Sequence, residues 1–332
     1  MKTSLYLASF LALSFFLSAA GFQIQETGKG NLVITHDGKP FAKYVVDQAN
    51  KPYLYPVYGP TGAAMTRDYP MKDVDGERQD HPHHRGMNFG HEGIGGVDTW
   101  SEQKTWDEAT AKKGGKNEYI LTREAALGRI VHKSYLKQEA TKEFARVIEE
   151  CEYQSKLGNP ILLERRTLTF RADCQVRTID FDQDLVAKFA DVPFEDKKDS
   201  GLSIRVPTSM DVTSELGGTI VNSEGIRDKE AWSKRARWCD YNGPVGKEHL
   251  GVAILNHPSS YRYPTGWHVR TYGLFTANPF ASKQFDKTAP DIGFTLKKGE
   301  TLKLRHRFVF HKGDERSAGI ESLWQAYSKE EK

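Results

Sequence analysis

The sequence predicts an all-β protein: a large antiparallel β-sandwich that ends in one helix. First, apolar and polar residues alternate with a period of two in many consecutive runs, as in sheets with one covered face. Second, a dozen or more such runs follow one another without a linker, which is typical of a large sandwich. Third, one segment shows helical spacing, because Ile320, Leu323, Trp324 and Tyr327 fall at i, i+3, i+4 and i+7.

The N-terminus predicts export. Lys2 precedes an apolar run from Leu5 to Leu17, and four small residues follow it, which is the layout of a cleaved signal peptide. We therefore expect residues 1–20 to be removed and residues 21–332 to form a single β domain in the periplasm or outside the cell. A membrane anchor is the alternative, but the run is shorter than the ~20 residues that a spanning helix needs.

The net charge indicates which classes of partner are not expected, and the cysteine count indicates whether disulfides are expected. The formal net charge is only +3 and the charges are interspersed, so neither nucleic acid nor an anionic membrane is indicated. Cys151, Cys174 and Cys239 make an odd count, so no disulfide framework is expected. No stretch after the leader is apolar enough to span a membrane.

The strands can be placed along the chain in order. Residues 31–36 and 41–46 are β-rich runs joined by a hairpin-turn signal at Asp37 and Gly38. A looser Tyr/Pro/Gly region at 52–70 is typical of a functional loop. We predict strands rather than helices throughout residues 118–188. Later strands are predicted at 201–206, 218–222, 250–256, 267–276 and 302–311.

Residues 81–100 form the first candidate site. They contain four histidines, an arginine, two carboxylates and five glycines, a composition poorly suited to building a core. In an extended chain, His81 and His83 point to one face and His84 to the other. A His-x-His pair can present two imidazoles to one metal ion, with His91 as a third ligand. Alternatively, these rings hydrogen-bond backbone groups or substrate hydroxyls, and the spacing leaves both possibilities open.

The second candidate site lies nearer the C-terminus. Asn256 and His257 end an apolar strand, which places them at a sheet rim, and His268 and Arg270 share one face of the next strand. Aromatic residues beside both candidate sites, including Trp100 and Trp267, suit the apolar face of a sugar ring.

These motifs resemble the aldose 1-epimerase (galactose mutarotase) pattern. Arg85 followed by Gly90-His91-Glu92-Gly93, Gly96-Val97-Asp98 and Trp100 is similar to that family's Arg…Leu-His-Gly-Gly…Gly-Phe-Asp…Trp run. Asn256-His257 resembles its Asn-His pair, whose histidine is the general acid. The resemblance implies a galactose mutarotase-like supersandwich. The family's glutamate base has no counterpart in residues 273–280, so simple mutarotation is not expected.

The chain as a whole resembles more closely than the mutarotases an exported bacterial family labelled methane oxygenase PmoA-like. That family's His-Pro-His-His-Arg-Gly, Asn-His-Pro and Trp-His-Val-Arg motifs stand here at residues 81–86, 256–258 and 267–270. The label does not fit the sequence, because a membrane methane monooxygenase subunit needs spanning helices and none is predicted here.

Together these observations predict an exported carbohydrate-active protein, an enzyme of epimerase, lyase or hydrolase type that uses histidine acid/base chemistry. Its expected partner is a carbohydrate or related small polyol, with His257 as proton donor and His91 as its partner. The catalytic candidates are His83, His91, His257 and His268. The substrate-binding candidates are Arg85, Asp98, Trp100, Asn256, Trp267, Arg270 and Asn278.

Two alternatives remain open. One is a metal-dependent enzyme that holds copper, zinc or iron with His81, His83 and either His91 or His268. The other is a carbohydrate-binding protein without catalytic activity, which the missing glutamate would allow.

Overall fold

The computed structural model describes residues 20–332, so the predicted signal peptide, apart from Ala20, lies outside the described residues. Eighteen strands are numbered along this part of the chain. They are β1 (Phe22–Thr27), β2 (Asn31–His36), β3 (Lys39–Val45), β4 (Tyr53–Val57), β5 (Met87–His91), β6 (Gly128–Ala140), β7 (Ala145–Ser155), β8 (Pro160–Ala172), β9 (Val176–Val186), β10 (Val192–Phe194), β11 (Ser200–Arg205), β12 (Thr219–Asn222), β13 (Trp238–Val245), β14 (Glu248–Asn256), β15 (Gly266–Val269), β16 (Leu274–Asn278), β17 (Phe294–Leu296) and β18 (Thr301–Lys312).

These strands form two large antiparallel sheets. The first has the order β1-β2-β3-β4-β5-β11-β16-β15, and the second has the order β12-β13-β14-β18-β9-β8-β7-β6. A small third sheet pairs β10 with β17. The predicted all-β class, a large antiparallel β-sandwich, is confirmed, as is the first hairpin, β2–β3.

The register of the first sheet separates an apolar face from a polar one. One row of facing residues is wholly apolar and belongs to the core: Leu54, Met87, Ile204, Phe275 and Val269. The adjacent row points to the opposite face and is largely polar: Tyr53, Asn88, Ser203, Thr276 and His268. Because strand side chains alternate between faces, the polar row lies on the side of the sheet away from the second sheet.

The core fills the space between the two large sheets. Phe41 on β3 meets Phe170 on β8 edge-on, with ring centroids 5.6 Å apart, so the two sheets are in direct contact. Apolar residues from both sheets join the same cluster, including Leu168, Ile179 and Phe308 of the second sheet. Burial of this apolar surface from both sheets is the main favourable term in folding.

Three α-helices complete the described chain: α1 (Gln103–Lys113), α2 (Glu118–Ala125) and α3 (Ile320–Tyr327). The predicted C-terminal helix is confirmed as α3, whose Ile320 and Tyr327 pack against the second sheet. The prediction of strands rather than helices throughout residues 118–188 is wrong for residues 118–125, which form α2. The Asn117 side chain accepts a hydrogen bond from the Ile120 amide at 3.0 Å and caps this helix.

Two further features of residues 20–332 concern membrane-spanning helices and the state of the cysteines. No helix in this part of the chain is long and apolar enough to cross a membrane. The three cysteines are free, two of them buried and Cys174 exposed.

Gly201 on β11 permits the close approach of β16. Its φ is +116°, and a Cβ atom there would lie 2.1 Å from the Ala277 carbonyl oxygen. We expect Gly201→Ala to lower the free energy of unfolding by about 3 kcal/mol or more, measured by urea denaturation. Gly62→Ala is the matched control, because Gly62 also has a positive φ, +89°, but open space around it. That control should lose only about 1 kcal/mol, and equal losses would exclude the steric explanation.

Candidate functional site

A cavity of about 380 Å³ lies beside the polar face of the first sheet, under the loops that cover that face. We call it the histidine cavity. It receives side chains from four places: the loop before β5, the segment from β5 to α2, the loop before β11, and the β15–β16 hairpin. Its lining residues are His81, His83, His84, Glu92, Trp100, Ser101, Thr105, Trp106, Tyr119, Lys198, Asp199, His268, Arg270, Tyr272 and Leu274.

The loop before β5 is a turn, which corrects the extended conformation predicted for His81–His84. His81 has a φ of +46°, and the His84 amide donates to the His81 carbonyl at 3.0 Å. The His81 ring consequently stacks between His84 and Tyr272, with centroid distances of 4.9 Å and 5.3 Å. The turn therefore brings all three histidines to one cavity instead of dividing them between two faces.

Asp80 anchors this turn. Its carboxylate accepts a hydrogen bond from Arg205 at 2.7 Å and one from Arg67, and lies 3.2 Å from His81 Nδ1. Both arginines are buried. The Arg205 guanidinium also donates to His84 Nδ1 at 3.1 Å, which fixes His84 in the tautomer with its proton on Nε2.

Burial keeps the His83 and His84 rings neutral. Desolvation, assisted by the charges of Lys51 and Arg205 respectively, places the pKa of His83 and of His84 well below the usual value. His83 Nδ1 lies 3.0 Å from the Thr105 hydroxyl at the start of α1. At neutral pH these two rings therefore act as hydrogen-bond donors and acceptors, not as cations.

His268 on β15 is oriented by the backbone. Its Nδ1 lies 2.6 Å from the Lys198 carbonyl oxygen, which can only accept, so Nδ1 carries the proton. Nε2 is left with a lone pair and, within residues 20–332, has no hydrogen-bond partner. Burial lowers the pKa of His268 to about 4, so the ring is a neutral base at neutral pH.

The pKa of Glu92 is shifted upward, whereas the pKa values of the buried cavity histidines are shifted downward. It follows β5, and burial raises its pKa to about 7, although the neighbouring Arg123 guanidinium acts against that rise. Arg123 donates to Glu92 and, at 2.8 Å, to Asp98. A sizeable fraction of Glu92 is therefore protonated near neutral pH and able to donate a proton.

Three of the predicted substrate-binding residues hold the walls of the cavity without lining it. Asn278 donates to the Lys197 and Lys198 carbonyls at 3.1 and 2.9 Å, and so supports the loop that orients His268. Asp98 accepts from the Trp100 and Ser101 amides at 2.8 and 2.9 Å. Arg85 pairs with Glu102, the N-cap of α1, at 2.9 Å.

Four other predicted residues lie outside the cavity. His257 directly follows β14 of the second sheet, and its ring centroid lies 5.1 Å from that of Tyr327 in α3. The Asn256 side chain accepts a hydrogen bond from the Thr265 amide at 2.9 Å. Trp267 is fully buried, and its indole N–H donates a hydrogen bond to the Ala236 carbonyl. His91 is fully buried beside Phe280, and its Nδ1 accepts from the Gly93 amide. The structure thus does not bring His257 and His91 together as an acid/base pair.

The predicted metal ligands do not form a compact group. Within residues 20–332, the ligand atoms of His81 and His83 do not lie within 4.8 Å of one another together with those of either His91 or His268, although His81, His83 and His268 line the same cavity. His91 does not line the cavity, and its Nδ1 already accepts a hydrogen bond from the Gly93 amide. Of the predicted site residues, the structure brings His81, His83, Trp100, His268 and Arg270 together.

Some cavity residues were not selected from the sequence. Lys198 and Asp199 belong to the loop between β10 and β11, and Thr105, Trp106 and Tyr119 belong to the α1–α2 pair. The only local signal for the first group is a charged turn, Asp196 to Asp199, directly before a buried strand. The second group was not identified because no element was assigned to residues 101–117 and strands were predicted from residue 118 onward.

Several solved structures share similarity with the described fold. The galactose 1-epimerase from Lactobacillus acidophilus NCFM aligns over 88% of this chain and 98% of its own, with 10% identity and a TM-score of 0.38. A galactose mutarotase related enzyme from Lactobacillus acidophilus aligns over 88% and 97%, with 10% identity and a TM-score of 0.29.

The 4-alpha-glucanotransferase from Thermococcus litoralis aligns over 89% of this chain but only 40% of its own, with 10% identity and a TM-score of 0.34. At these identities and TM-scores, the structural matches assign no activity to this chain. No curated protein matches the sequence.

One family model matches residues 31–325, which is most of the chain. Its description is a family of unknown function, and it bears no methane oxygenase label. The chain therefore belongs to the family of unknown function DUF6807.

Proposed function

We propose that this protein is an exported enzyme that binds a small sugar or related polyol in the histidine cavity and transfers a proton on it. The observation that carries the proposal is that His268, a neutral base, and Glu92, a carboxylic acid with a pKa of about 7, line one cavity. Titratable groups whose environments push their pKa values apart are typical of acid/base catalysis.

The lining suits a polyol in two ways. Trp100, Trp106 and Tyr272 give the lining aromatic surface that suits the C–H groups of a pyranose, while Arg270 and Asp199 offer a donor and an acceptor for its hydroxyls. The volume of about 380 Å³ is at the lower end of the range for small-molecule sites, about 300–1,000 Å³. A monosaccharide unit is therefore favoured over a long oligosaccharide.

The proposed chemistry assigns a separate task to each group. His268 Nε2 accepts a proton from a ligand carbon or hydroxyl, and Lys198 holds the ring in the required tautomer. Glu92 donates a proton to the departing or neighbouring oxygen. Epimerase, lyase and hydrolase reactions all use such a pair, and the missing mutarotase-type glutamate favours a reaction other than simple mutarotation.

The test uses mature protein, residues 21–332, with a panel of monosaccharides and uronic acids followed by NMR in D₂O. Turnover or deuterium incorporation should fall at least about a hundredfold in His268→Gln, with little change in ligand affinity. His249→Gln is the matched control, because His249 is exposed on β14 and should leave turnover unchanged. His257→Gln separately tests the proton donor expected from the sequence.

Two outcomes would reject the proposal. Unchanged turnover in His268→Gln would remove the assigned base. Sugar binding without any turnover would reject the enzymatic part and leave the alternative of a carbohydrate-binding protein.

A further inference from the structure

A second cluster of reactive side chains lies between the sheets, away from the histidine cavity. Glu149 and Cys151 are two residues apart on β7 and share its inward face, and His132 on β6 is the direct cross-strand partner of Cys151. One ligand atom from each of these three residues lies within 4.8 Å of the other two. Among residues 20–332, these three residues are the one group of His, Cys, Asp or Glu side chains with that geometry.

The three ligand types suit one kind of ion. Imidazole nitrogen, carboxylate oxygen and thiolate sulfur are the protein ligands of Zn²⁺, and metal–ligand distances of about 2.0–2.3 Å follow from small side-chain rotations at this spacing. Glu149 and Cys151 are fully buried, and His132 is slightly exposed at β6, the edge strand of the second sheet. An ion can therefore reach the cluster from the His132 side.

Charge around the cluster is incompletely balanced. Arg166 binds Glu164 through two hydrogen bonds, of 2.7 and 3.0 Å, but lies 3.7 Å from Glu149. The cluster thus has two buried carboxylates and one guanidinium, and Glu149 is left with the Tyr44 hydroxyl and the His132 ring. Buried charges are costly unless they are compensated, so one further positive charge is required here.

We propose that His132, Glu149 and Cys151 bind a divalent transition-metal ion of the zinc type. A doubly charged ion with Cys151 as thiolate adds one net positive charge, which balances the cluster. On binding, two protons leave to solvent, one from the Cys151 thiol and one from His132 Nδ1, so that Nδ1 coordinates the ion while Nε2 keeps its proton. Without an ion, a proton on His132 provides the same balance, and the two states are distinguishable by experiment.

The site would also connect the sheets. The Tyr44 hydroxyl on β3 donates to Glu149, so an ion that fixes Glu149 also fixes a contact between the first sheet and the second. This role does not depend on the proposed sugar chemistry, because none of the three ligands lines the histidine cavity.

The experiment uses mature protein with Cys174→Ser, which removes the exposed thiol, after chelator treatment. Titration with Co²⁺ should reach one equivalent and produce a thiolate-to-cobalt charge-transfer band, and Zn²⁺ should displace the cobalt and raise Tm. Adding Cys151→Ser to this variant should abolish the charge-transfer band. Adding His132→Ala to it instead should abolish the binding of one equivalent of Co²⁺. Cys239→Ser is the matched control, because Cys239 is also buried and free but lies on β13.

The results distinguish a metal-bound cluster from an ion-free cluster in which His132 is protonated. Absence of stoichiometric Co²⁺ and Zn²⁺ binding by the folded protein would overturn the proposal and leave a protonated His132. A charge-transfer band that persists in Cys151→Ser would equally overturn it. If Cys151→Ser does not fold, His132→Ala decides alone, because that side chain lies at the sheet edge and its loss is more easily tolerated.

Discussion

Replacing Arg166 with methionine is expected to lower the free energy of unfolding by about 3–5 kcal/mol. Arg166 is fully buried, and its guanidinium is bound by both oxygens of Glu164. Without that cation, Glu164 keeps only the Tyr153 hydroxyl and the Gln183 amide as partners, at 2.8 and 2.9 Å. An uncompensated carboxylate in the core must then either stay charged at high cost or take up a proton.

The measurement is urea denaturation of protein comprising residues 21–332 in the presence of a chelator, so that no metal ion contributes. Arg171→Met is the control, because Arg171 is 39% exposed and its partner Asp180 keeps Arg307 and Lys332. We expect that variant to lose less than about 1 kcal/mol.

A second substitution distinguishes the effect of the uncompensated Glu164 charge from the effect of lost packing around Arg166. Adding Glu164→Gln to Arg166→Met removes the uncompensated charge, so the double variant should be more stable than the single variant. If the double variant is instead as unstable as the single one or worse, the loss comes from packing around Arg166, including its contact with the Phe181 ring, and the electrostatic explanation is wrong.

The parts of the fold that the sequence predicted correctly depend on local patterns. Helix α3 was predicted because its apolar residues recur at helical spacing and all dock on one surface. Helix α1 was missed for the opposite reason. Trp106 is the only buried residue of α1, and most of the rest of that helix is polar, so no apolar stripe marks it in the sequence.

The candidate site was predicted in part for a similar reason. The histidine-rich loop is contiguous in sequence, so its composition identified it directly. Asn256 and His257 were expected to join it because they end a strand, but β14 belongs to the second sheet and His268 on β15 to the first. Sheet membership depends on long-range strand pairing, which the local pattern of a strand does not encode.

Glu92→Gln is expected to lower the proposed turnover at least about a hundredfold and, above pH 7, to raise the free energy of unfolding by about 1–3 kcal/mol. The opposite directions follow from one cause. Burial holds Glu92 in the protonated form to a pKa of about 7, whereas the same carboxyl in the unfolded chain titrates near 4.5. Asp98 still binds Arg123 in the variant, so the guanidinium keeps a partner.

The sign of the pH dependence can be derived from these two values. Between about pH 4.5 and pH 7 the folded protein binds more protons at Glu92 than the unfolded chain does, so wild-type stability falls as pH rises through this window. Glutamine does not titrate, so the variant lacks this loss and should match the wild type near pH 5 while exceeding it near pH 8. Urea denaturation at both pH values measures the difference, with Glu195→Gln as the control, because Glu195 is half exposed beside the same strand end. A variant that is less stable than the wild type near pH 8 would mean that the Glu92–Arg123 ion pair outweighs burial, and Glu92 would then be an anchoring anion instead of the acid.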